Sequence, residues 1–128
     1  SGLLDEMLKR LPQQEKYLDI KVSGSDIRLC CSDIVYAEHF AHIINIHTVA
    51  GKTLATRQSF KVFTESLKED PRFFICGRGV IVNLEQAEDF EADAFCMRDG
   101  SRVYVCQNLL KSARQVFMEF LLQRGRIG

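Results

Sequence analysis

Phe73-Phe74-Ile75-Cys76-Gly77-Arg78-Gly79-Val80-Ile81-Val82-Asn83 is the stretch whose reading decides the fold of this chain. Aromatic and aliphatic side chains lead in, an arginine between two glycines makes a bend, and an apolar triplet leads out to an asparagine. Short apolar runs on either side of a glycine-flanked bend describe two buried strand segments joined by an exposed tip. A second hairpin signal follows in Met97-Arg98-Asp99-Gly100-Ser101-Arg102-Val103-Tyr104-Val105. There Asp99-Gly100 suits a tight two-residue turn in which both central residues take positive φ.

Working outward, the upstream half is also strand-rich. Leu18, Ile20 and Val22 alternate with Asp19 and Lys21, the period of a half-buried strand. Ser23 to Asp26 reads as a turn, and Ile27 to Cys30 returns. Ile34 to Glu38 predicts another strand, His39 to His42 an interruption, and Ile43 to Val49 a further strand. Ala50-Gly51 turns the chain into Thr53 to Thr56. Ser59 is a good helix N-cap, with Phe60, Phe63 and Leu67 at helical spacing behind it and Asp70-Pro71 as a stop. Downstream, strands are expected over Phe73–Cys76, Val80–Val82, Gln86–Glu91, Ala94–Arg98 and Arg102–Cys106. A closing helix carries Leu109, Leu110, Ala113, Val116, Phe117, Phe120 and Leu121 on one stripe, with Gly125 just past its end.

At the other terminus, Leu3, Leu4, Met7, Leu8 and Leu11 follow helical spacing until Pro12. A helix that short needs something to dock on. Residues 1–16 are assigned to this linker or N-terminal helix, and residues 17–128 to a single mostly-β domain with one internal helix. The opening Ser1-Gly2, without methionine, reads as a tag scar on a fragment, so receiver or sensor modules are expected outside it.

Composition narrows the function classes. Seventeen basic and seventeen acidic residues leave no net charge, which argues against an obvious polyanion binder. The charge is unevenly spread, however. Glu85, Glu88, Asp89, Glu91 and Asp93 form an acidic strip, whereas Arg98, Arg102, Lys111, Arg114, Arg124 and Arg126 dominate the last part of the chain. Five cysteines without a C-x-x-C pair, all in apolar strand-like contexts, read as buried reduced thiols of a cytoplasmic protein. No G-x-S-x-G elbow, phosphate-cradling glycine loop or framed pair of carboxylates points to an enzyme. His39, His42 and His47 beside Cys30 and Cys31 raise a metal site. Neighbouring strand residues face opposite ways, so the two cysteines are poorly placed to share an ion, and neither a metal nor another cofactor is expected.

The order and spacing of Asp33-Ile34-Val35-Tyr36-Ala37-Glu38, the Phe73–Asn83 stretch and the Met97–Val105 hairpin resemble the LytTR family. These are bacterial DNA-binding domains often attached to receiver domains, and the resemblance runs from Leu18 to Leu122. It implies an elongated, antiparallel β-sheet fold that presents successive loops, rather than a recognition helix, to the DNA grooves. It also implies double-stranded DNA as partner, direct repeats bound as a dimer, and a response regulator's receiver domain elsewhere in the full-length protein.

Carried over residue by residue, the family pattern puts His42 in the first loop, where it could meet a guanine edge or a phosphate. The alternative is an exposed loop histidine. Arg78 matches the middle of the second loop, while Gly77 and Gly79 stand where the family usually has His and Ser. Arginine suits phosphate or bidentate guanine contact, and a solvated turn arginine is the alternative. In the third loop Cys106 replaces the usual Ser, and Gln107 and Asn108 offer amides that can read adenine. Asn108 also stands where the last helix needs an N-cap. Lys111 and Arg114 lie one and two turns inside that helix, within phosphate reach. Asn83 is expected to shape a turn. A different use of the same fold, as a protein-interaction or dimerisation module, is favoured by neutral charge, the acidic strip and the apolar terminal helices.

Overall fold

Leu18 and Ile20 are buried while Tyr17, Asp19 and Lys21 are exposed, so the first alternating run is a strand with one face inward. The computed structural model describes residues 15–127. The expected helix at Leu3–Leu11 lies outside the described residues. Strand β1 (Tyr17–Val22) pairs with β2 (Ser25–Cys30) through a two-residue turn at Ser23 and Gly24, both with positive φ. The turn is shorter than the sequence implied, and Ser25 and Asp26 already belong to β2.

Next come β3 (Ile34–Phe40), β4 (Ile43–Thr48), β5 (Thr53–Thr56), helix α1 (Phe60–Glu65), β6 (Phe73–Gly77) and β7 (Val80–Asn83). Their strands form one antiparallel sheet in the order β5-β4-β3-β7-β6. A three-stranded sheet follows, made of β8 (Ala87–Glu91), β9 (Ala94–Met97) and β10 (Arg102–Tyr104) in the order β10-β9-β8. Helix α2 (Leu110–Ile127) closes the chain.

The central sheet contributes side chains to a core on each of its faces, which explains the apolar residues at Ile34, Val35, Ala37, Ile81 and Val82. Ile34, Ala37 and Ile81 look into a core shared with Leu18, Leu29, Phe63 and Leu67. Val35 and Val82 look the other way, into a core shared with Phe95, Met97, Val103 and Phe117. Phe95 anchors the second core, with Phe90, Phe117 and Phe74 ring centroids at 4.8, 5.6 and 6.2 Å in edge-on arrangements. Such pairs contribute about 0.5–1.5 kcal/mol each beyond burial. A cap and a lock set the ends. Ser59 accepts from Val62 N at 3.1 Å, as its sequence position predicts, a cap typically worth about 1 kcal/mol. Asn83 has no exposed surface and ties two segments together, donating to Ile34 O at 2.8 Å and accepting from Glu85 N at 2.9 Å.

Several local expectations change. β3 continues to Phe40, so only Ala41 and His42 separate it from β4. The second hairpin is closed by three residues, Arg98 to Gly100: Gly100 N donates to Met97 O, and Met97 N to Ser101 O. Gly100 has φ of 93°, and Asp99 is not among the residues with positive φ. The Asp99 side chain instead accepts from Ser101 N at 2.9 Å, which stabilises a one-residue bulge. Gly125 falls within α2, which runs on to Ile127 among helix-forming neighbours. Leu121, expected in the buried stripe, is exposed with Met118 and Leu122; among the described side chains of α2, Ala113 and Phe117 are the buried ones.

Candidate nucleic-acid interface

The first bend is built at a cost. Ala41 and His42 have φ of 51° and 68°, so neither central residue is the glycine or asparagine that such a turn favours. Non-glycine residues in this region store about 1–3 kcal/mol of strain each, and the long β3–β4 ladder behind them holds the turn closed. His42 is exposed and makes no hydrogen bond to any described residue. Phe40, at the base of the turn, is 77% exposed, an unusual position for a large aromatic.

The second bend leans on the first. His39 N donates to Gly79 O at 2.6 Å, and a Cβ on Gly79 would stand 3.2 Å from both His39 Cβ and His39 O. With φ of 69° as well, this position disfavours the serine that the LytTR resemblance leads one to expect. Arg78 projects from the tip, exposed and without a partner among the described residues.

The third bend leans on the second. Cys106 N donates to Cys76 O at 2.8 Å, and a Cβ on Gly77 would fall within the Cys106 sulfur. Gln107 and Asn108 are exposed on the 3-10 turn Gln107–Leu109 that runs directly into α2. Cys106, not Asn108, holds the N-cap position, and its side chain makes no capping bond. The helical turn begins two residues earlier than Asn108's capping role requires, so its amide is left free.

The three bends are therefore linked edge to edge, first to second through His39 and Gly79, second to third through Cys76 and Cys106. Beside the third runs an open groove lined by Gln107, Leu110, Lys111, Arg114 and Met118. Lys111 is exposed and unpartnered among the described residues, whereas Arg114 is engaged. Its guanidinium donates to Ala92 O at 3.4 Å and sits 5.6 Å from the Phe90 ring centroid. The structure brings the six residues singled out in the sequence to the surface, and gives one of them an internal task.

Charge is less polarised than the sequence suggests. Arg102 approaches Glu91 at 3.8 Å, and Arg98 donates to Glu85 O at 3.3 Å, so both bases lie over the acidic strip. His47 is likewise occupied: Nε2 donates to Glu38 at 2.9 Å and the ring stacks on Tyr36 at 4.2 Å. Among the described residues no three His, Cys, Asp or Glu side chains gather as metal ligands would. The thiols are free, but they differ. Cys31 and Cys76 are buried, Cys30 and Cys96 half-buried, and Cys106 exposed, contrary to the expectation of uniformly buried thiols. Burial, with Cys106 nearby, pushes the Cys76 thiol up to about 12.

Two residues passed over in the sequence stand beside the first bend. Phe40 was hidden by the expectation of a loop there. Arg57 was hidden by distance along the chain: Ile44 pairs with Thr56, so the next residue out is level with Ile43 and lines an open cleft with His42. Only strand register reveals that.

A family model described as the LytTr DNA-binding domain matches residues 24–118. The chain belongs to the LytTR family. Among solved structures, it is similar to the LytTr DNA-binding domain of a methyl-accepting/DNA response regulator from Bacillus cereus, with a TM-score of 0.67 and 21% identity. The match covers 80% of this chain and 96% of that one, and it speaks to the fold. No curated protein matches the sequence. As a LytTR domain, the chain carries the mostly antiparallel β architecture expected of it, with the Phe73–Asn83 hairpin (β6 and β7) closing one side of the five-stranded sheet. No described helix is long and apolar enough to cross a membrane.

Proposed function

We propose that this LytTR domain binds double-stranded DNA sequence-specifically, as the effector domain of a bacterial response regulator acting in the cytoplasm. The observation that carries the reading is the chain of contacts from the first bend to the third, His39 to Gly79 and Cys76 to Cys106. Bends linked in this way can meet successive grooves of one duplex without rearranging. Binding is the activity; no bond is made or broken.

Roles follow from chemistry and freedom. His42, Arg78, Gln107 and Asn108 are exposed without partners among the described residues, so each can donate to base edges without first breaking a contact. Lys111 serves phosphate, as does Arg114 with whatever reach its hold on Ala92 leaves. The strain at Ala41-His42 supports a site there, since such turns persist where function repays them. Pairing on direct repeats, and a receiver domain upstream, complete the proposal. The exposed Met118, Leu121 and Leu122 on α2 favour a protein contact as a second use of the domain, compatible with pairing on DNA.

The test is titration of labelled duplex DNA at several salt concentrations. Each phosphate neutralised steepens the log–log salt dependence by about 0.9. A slope of several units is expected. No salt-dependent binding to any duplex, with dimerisation intact, would transfer the fold to the protein-contact reading.

A further inference from the structure

Arg57 stands between two open clefts at the edge of the central sheet. One is lined by His39, His42, Arg57 and Phe60, the other by Lys21, Ser23, Gly24, Ile43 and Arg57. The side chain is exposed and, among the described residues, has neither an ion pair nor a hydrogen bond. No acidic residue lines either cleft. Lys21, by contrast, already leans on Asp26 at 3.9 Å. The register of β4 on β5 holds Arg57 level with Ile43, one residue from His42. The second cleft brings the Ser23-Gly24 turn of β1–β2 to the same edge.

An unpaired guanidinium in an acid-free, open cleft is poised for a planar anion with several oxygens, and a phosphodiester is such a group. We infer that Arg57 is a backbone-phosphate contact that carries the DNA footprint past the first bend to the Ser23-Gly24 turn, making that turn a fourth point of approach. This rests on the DNA-binding reading above. Arg57 reads no base; it fixes the duplex so that His42 meets its groove in one register. Lys21 adds attraction once Asp26 is outcompeted by phosphate.

The test uses the whole chain and a fluorescein-labelled duplex of mixed sequence, followed by anisotropy across a series of NaCl concentrations. Arg57→Ala should make the log–log salt slope shallower by about 0.9, the share of a single phosphate. Arg57→Lys should restore the slope, since the charge returns. Thermal unfolding of both variants should match the parent, because Arg57 makes no hydrogen bond or ion pair among the described residues. An unchanged slope in Arg57→Ala, with the parent binding normally, overturns the inference and leaves the DNA reading standing. Loss of the slope that Arg57→Lys fails to restore also overturns it. Absence of salt-dependent binding by the parent removes both.

Discussion

The sulfur of Cys106 fills the space in which a side chain on Gly77 would stand. The LytTR resemblance leads one to expect histidine where Gly77 stands and serine where Cys106 stands, and the two departures meet in space, the bare Gly77 leaving room for the Cys106 sulfur. The backbone bond from Cys106 N to Cys76 O at 2.8 Å holds the second and third bends side by side at this point.

Gly77→Ala should destabilise the fold by about 1–3 kcal/mol, the usual cost of forcing a methyl into filled space. In a Cys106→Ala background the same change should cost less, with a coupling of about 0.5–3 kcal/mol between the two positions. Urea unfolding of the four proteins gives that number. Strict additivity would mean that the clash is relieved elsewhere.

Arg78 and Arg114 should separate cleanly. Arg78→Ala should weaken binding to a preferred duplex by about 1–3 kcal/mol if the arginine grips a guanine edge, and leave thermal unfolding untouched. Arg114→Ala removes the bond to Ala92 O and the ring contact with Phe90, so its main effect should be a lower unfolding temperature. A larger affinity loss from Arg114 than from Arg78 would reverse their assigned roles.

Alkylation should rank the thiols. Iodoacetamide at neutral pH should modify exposed Cys106 first, then half-buried Cys30 and Cys96, sparing Cys31 and Cys76. Burial pushes the Cys31 thiol up to about 11 and the Cys76 thiol up to about 12, which deprives both of thiolate. Peptide mass spectrometry reads the order. The Cys106 adduct, wedged between the second and third bends, should also weaken DNA binding; an adduct without effect would take the third bend out of the interface.

Acid should loosen the segment between α1 and β6. Burial raises the Asp70 carboxyl, and the Arg72 hydrogen bonds and charge outweigh it, leaving the group below the ordinary aspartate range. Its contacts are two-pronged, with Arg72 NH2 at 2.8 Å and Nε at 3.1 Å. A folded value below the unfolded one means that the stabilisation is complete above about pH 3.9 and is lost as pH falls through the folded value. Asp70→Asn should cost about 1.5–3 kcal/mol near neutrality and flatten the acid limb of a plot of unfolding temperature against pH. An acid limb as steep as the parent's would assign it to other carboxylates.

The strand pattern was legible because it is local. Alternation at Leu18–Val22, the apolar runs around the Gly77–Gly79 bend and the Ser59 cap each follow from neighbours within a few residues. The misreadings were also local in origin. Asp99-Gly100 looks like a two-residue turn until the pairing of Met97 with Ser101 shows that Arg98 belongs to the loop. Asn108 looks like a cap until the 3-10 turn is seen to begin at Gln107.

By itself the sequence determined that the chain is a mostly-β domain of the LytTR type, and which residues stand at its bends, because side-chain period and turn chemistry act over short spans. Tertiary structure alone decided which of those residues remain free. Arg98, Arg102 and Arg114 are drawn toward the acidic strip and its hairpin, whereas Arg57 and Phe40 are left open beside His42. The reason is physical: hydrogen bonds, ion pairs and steric exclusion act through space, and strand register and packing set those distances between residues far apart in the chain.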